Sequence, residues 1–163
     1  MNRDSLKRKL HSQKVRNCIS KPNGVEIVRI RLGPCRELSV EQKYFPYIYS
    51  LDKEPDSILS CHASEQHLME WIQLQTGLQP NTTYYFRCSG VWVEIRLNVI
   101  ETGIKSLWNH AQYWGQQHSH GFLFVDEPIE HMVEVGFDSR DEYNYFYDRY
   151  LLITDDNAQV VKL

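Results

Sequence analysis

Between residues 57 and 150 the apolar residues of this chain switch repeatedly between a period of two and a period near 3.6, and that switching confines the fold more than any other feature. Val91, Val93, Ile95 and Leu97 recur every second residue, with Trp92, Glu94, Arg96 and Asn98 between them. This is the pattern of a strand with one face turned inward. Thr82–Cys88 precedes it as a second strand, and the Ser89-Gly90 pair between the two suits a tight hairpin. Leu68, Trp71 and Ile72 follow helical spacing instead. Ser64 stands where an N-cap hydroxyl can accept from a first-turn amide, and Gly77 where a left-handed C-cap residue is needed. A helix over 64–76 is therefore expected. Ile104, Leu107, Trp108, Ala111 and Trp114 or Gly115 predict a longer one over 101–117. Gly121–Val125 is apolar on both sides and reads as a central strand, and Ile129–Phe137 alternates again. Ser139 and Glu142 form a capping-box pattern. They open an expected helix over 139–150 with Tyr143, Phe146, Tyr147 and Tyr150 as its core stripe.

The resulting order, β-α-β-β-α-β-β-α, predicts an α+β fold: a mostly antiparallel sheet with helices on one face, a ferredoxin-like β-α-β-β-α-β arrangement, additional strands and a C-terminal helix. The additional strands are Val25–Leu32, with Val28, Ile30 and Leu32 on one face, and Tyr44–Leu51, where Pro46 suggests an edge or a bulge. Leu151–Thr154 and Ala158–Leu163 make a candidate terminal hairpin. Residues 25–163 are read as one domain, a size that buries a sizeable core without staples. Residues 1–24 are read as a basic arm, within which 4–16 can form a short helix with Leu6, Leu10 and Val15 on one side.

Charge is unevenly distributed. Residues 1–24 hold seven basic residues and one acid, whereas 126–156 hold ten acids and two basic residues. The longest apolar runs are a few residues, far short of the roughly 20 that span a bilayer. No apolar leader core opens the sequence, so a cytoplasmic location is expected. Cys18, Cys35, Cys61 and Cys88 are widely spaced with no CxxC pair, and are read as free thiols.

No nucleophile elbow, phosphate-binding glycine loop, dinucleotide fingerprint or HExxH occurs. Glu130 and Glu134 share a strand face but lie about 13 Å apart at strand rise, too far for paired acid–base work. His131 falls in an apolar row, where it is either a base held by a partner or a core histidine with one hydrogen bond. No cofactor is called for. Three readings of function remain. The first is a non-enzymatic interaction or regulatory module that docks a basic protein partner through an acidic, Tyr-rich C-terminal surface of Asp141, Glu142, Tyr145 and Asp148. The second is a nucleic-acid-associated component using Arg3, Lys7, Arg8, Lys9, Lys14 and Arg16. The third is a metal-dependent enzyme with His118 and His120, two apart and able to chelate one ion if extended.

Overall fold

The computed structural model describes residues 3–18, 23–31, 54–88, 91–110, 121–127, 129–137, 144–152 and 160–162. Within them the chain runs α1 (Arg3–Cys18), β1 (Val25–Arg31), β2 (Ser57–Leu59), α2 (Glu65–Thr76), β3 (Thr83–Cys88), β4 (Val91–Leu97), α3 (Ile100–His110), β5 (Phe122–Asp126), β6 (His131–Phe137), β7 (Tyr145–Leu152) and β8 (Val160–Lys162).

The strands form one antiparallel sheet in the order β1-β4-β3-β5-β6-β7-β2, and β8 also pairs with β7. β2 lies against Tyr145–Tyr147 and β8 against Tyr150–Leu152, so the two share the outer edge of β7. The α+β class stands. The ferredoxin-like order would set the strand before α2 between β4 and β5. That position holds β3, and β2 sits at the far edge on β7.

Local chemistry explains the elements that the periodicity predicts. Ser64 accepts from His67 N at 3.2 Å and opens α2. Gly77, at φ 60°, closes it by donating to Gln73 O at 3.2 Å. β3 and β4 pair from Thr83↔Arg96 to Cys88↔Val91, the hairpin register that the spacing requires.

One face of the sheet carries the main core. Tyr84, Phe86 and Cys88 of β3, the four inward residues of β4, Phe124 of β5, Val135 of β6 and Tyr147 of β7 pack with Leu68, Met69, Trp71 and Ile72 of α2 and with Ile104, Leu107 and Trp108 of α3. The Trp71 indole also donates to Ser57 Oγ at 3.2 Å, tying α2 to β2. The opposite face is not a plain solvent face. Trp92, expected outward, lies on that side yet is 1% exposed, and Tyr85, Leu123, Val125, Met132 and Tyr150 on the same side are buried.

Three expectations need correction. Tyr145–Leu152 is a strand, not the end of a helix, paired with β6 from Phe137↔Tyr145 to His131↔Leu151. Six of its eight residues are aromatic or aliphatic, so both periods fit, and bulky aromatics favour the pleated surface once partners exist. On β1, a register shift between Ile27 and Arg29 resets the alternation. Ile30 then packs on the core while Val28 is exposed. The bulge and the charges of Glu26, Arg29 and Arg31 also discourage another chain from pairing with this edge. The third concerns α1, whose Val15 joins the core cluster and whose Leu6 and Leu10 do not share its side. The expected strand Tyr44–Leu51, the capping box at Ser139 and Glu142, and the stretch 111–117 lie outside the described residues.

Candidate functional site

The basic segment is a 16-residue helix, α1, with Asp4 in its first turn and Arg16 in its last, both placed favourably along the macrodipole. Val15 is fully buried and belongs to the same core cluster as α2, α3 and the sheet. The helix therefore reaches the core through Val15. Leu6 and Leu10 are 44% and 63% exposed. At about 100° per residue, Leu6 stands roughly 180° and Leu10 roughly 140° around the helix from Val15. Arg3, Lys7, Arg8, Lys9 and Arg16 are exposed as well, and Gln13 donates to Asn17 Oδ1 at 3.0 Å, one helical turn on. Lys14 lies on the same helix. Positions 3, 6, 7 and 10 form one outward stripe, in which cations alternate with leucines.

The acidic end is arranged differently from the expected docking surface. Asp141 and Glu142 lie outside the described residues. Tyr145 and Asp148 belong to β7, where an odd spacing puts them on opposite faces. The Tyr145 ring packs edge-on against Trp108 at 5.7 Å and Phe137 at 5.3 Å. Asp148 accepts from Asp56 N at 3.2 Å and from the Tyr150 hydroxyl at 3.4 Å. Asp56 in turn accepts from Arg149 N at 2.7 Å, so these carboxylates staple β2 onto β7. Glu134, 2% exposed, is directly opposite Asp148 in the β6–β7 register. Burial, with Glu134 and Asp148 nearby, pushes the Tyr150 hydroxyl well above the usual phenol range. Burial likewise raises Tyr147, against the opposing pull of Arg149.

The turn from β5 to β6 holds a histidine–carboxylate pair. Asp126 accepts from the backbone amides of Glu130 and His131, each at 2.8 Å, and its other oxygen lies 2.9 Å from His131 Nδ1. Ile129, between them, is buried and held at φ 73°, a conformation that a β-branched residue adopts only under constraint. The pair orients an imidazole and closes a turn. His131 is thus half-buried with one carboxylate partner.

Among the described residues no group of three or more His, Cys, Asp or Glu is arranged to hold a metal ion. His62 and His67 are exposed, and Cys61 N donates to Asn144 Oδ1 at 3.4 Å. His118 and His120 lie outside the described residues. No helix among the described residues is long and apolar enough to cross a membrane.

The sequence pattern places Leu6 and Leu10 together on one side of the helix, as found, but grouping by apolarity and not by phase sets Val15 wrongly beside them. The nine-residue interval from Leu6 to Val15, two and a half helical turns, carried the signal. No protein-family model matches the chain, and the searches of curated proteins and of solved structures also return no match.

Proposed function

We propose that this protein is a non-enzymatic interaction module that docks onto an anionic macromolecular partner through α1. The observation that supports this reading is the combination of an anchor and a display: Val15 pins the helix to the core while Arg3, Lys7, Arg8 and Lys9 remain exposed. A fixed helix loses less conformational entropy on binding than a loose basic tail, so its charges contribute more to affinity. The body beyond residue 24 is net negative, so the basic charge is most concentrated on this element.

The test is affinity purification from the native host with the wild-type chain and with the triple variant Arg3→Glu, Lys7→Glu, Arg8→Glu. A partner recovered by the wild type should be lost at about 0.5 M salt, where surface charges are screened to a few ångströms. The variant should recover on the order of ten-fold less. Equal recovery by both chains overturns the reading.

Docking of a basic partner at the acidic end retains one supporting feature, the exposed Glu127 and Glu130 at the β5–β6 turn. The same purification with Glu127→Lys, Glu130→Lys tests it, since that reading requires a loss with this pair and none with the α1 variant.

A further inference from the structure

The geometry points to an acidic protein with an apolar groove as the partner of α1, with Leu6 and Leu10 as the anchors. This inference rests on the reading of α1 as the docking element and narrows its partner. Leu6 and Leu10 are exposed on the side of the helix away from the buried Val15. They are one turn apart, about 6 Å along the axis. Arg3 and Lys7 lie on the same stripe, so it presents two leucines flanked by two cations.

Each competing occupant fails on one property of that stripe. Nucleic-acid phosphates would use the cations and leave both leucines in water, since apolar side chains make no use of a phosphate backbone. A second copy pairing this stripe against its own would bring Arg3 and Lys7 of both helices into one contact, a like-charge juxtaposition that opposes association. A bilayer surface calls for a broad apolar face, but here the two leucines are bordered by Lys7, Gln13 and Asn17. A groove with two apolar pockets and a carboxylate-lined rim satisfies leucines and cations together. The binding energy then divides into a salt-insensitive apolar part and a salt-sensitive charged part.

The experiment is photo-crosslinking in the native host, with the full chain carrying benzoylphenylalanine at position 13, where the exposed Gln13 borders the two leucines. A second chain carries it at position 74, on α2, where Leu74 is 77% exposed. The expected result is one protein adduct from position 13, absent from position 74, to a polypeptide with an excess of acidic residues. Its yield should fall at least ten-fold in both Leu6→Ser and Arg3→Glu/Lys7→Glu backgrounds, with the helix content of each variant unchanged by circular dichroism. An adduct that survives Leu6→Ser but not the charge reversal overturns the groove and leaves the docking role of α1 intact. An adduct to nucleic acid or lipid overturns the groove in the same way. An adduct at twice the chain's own mass replaces the acidic protein with a second copy. Adducts insensitive to both changes, or none, overturn this inference and the docking role together.

Discussion

Gly24 and Gly77 both adopt positive φ, at 78° and 60°, yet the space around them differs. A β-carbon on Gly77 would meet nothing within 4 Å, whereas one on Gly24 would lie 2.5 Å from Thr102 Oγ1 and 2.8 Å from Val99 O. Gly24 O also accepts from Asn98 N at 2.9 Å, so the start of β1 is pressed against the entry to α3. Gly77→Ala should therefore cost about 1 kcal/mol, the conformational term alone. Gly24→Ala should cost roughly 2–4 kcal/mol, because steric displacement adds to that term. Denaturant unfolding of the two variants checks the contrast, and equal losses would contradict the packing described at β1. Asp126 offers a second case at this scale. Its carboxylate serves two amides and one imidazole, so Asp126→Ala should lose about 1–3 kcal/mol and speed amide exchange at Glu130 and His131. Neither site was legible beforehand. Asp126 reads in the sequence as an acid at a turn, which does not disclose its imidazole partner, and a glycine's neighbours come from elements distant in sequence.

Elements with local punctuation were legible and those without it were not. Ser64 and Gly77 bracket α2 by hydrogen bonds to near neighbours, so their identities alone place the helix. The β3–β4 hairpin is equally local. β7 carries no such marks: its aromatic residues satisfy a helical stripe and a two-sided strand alike, and pairing with β6 decides between them. α1 lies between these cases. Its helical character was readable, but its docked side depended on one valine. Val15→Asp should release it, since the burial forfeited is roughly 1.5–3 kcal/mol before the cost of an interior charge. Hydrogen exchange should then show α1 amides losing protection while β3 and β4 keep theirs. Coupled loss in α1 and the hairpin would mean that the helix supports the sheet and does not merely rest on it.

For the whole molecule, the placement of tyrosines predicts sensitivity to alkali. Tyr150 and Tyr147 have hydroxyls raised above the ordinary phenol range, chiefly by burial. A group raised in the folded state favours its protonated form there. Its contribution is intact below the unfolded value near 10 and is lost as pH climbs past it. Stability should thus fall above pH 10 by up to about 1.4 kcal/mol per pH unit for each such tyrosine. Tyr150→Phe should flatten the decline of Tm between pH 10 and 11.5, and an unchanged slope would show that Tyr150 does not govern it. The sheet order was the least readable level, because which strands become neighbours is settled by covering the common core. The edge of β7 shared by β2 and β8 has a consequence for the chain's history. β2 leaves the ribosome early but must wait for β7, some 90 residues later, before it has a strand to pair with. β1 waits similarly for β4. Both β1 and β2 join the sheet by long-range contacts, a topology that slows folding, and synthesis of β7 is the step that commits β2 to its place.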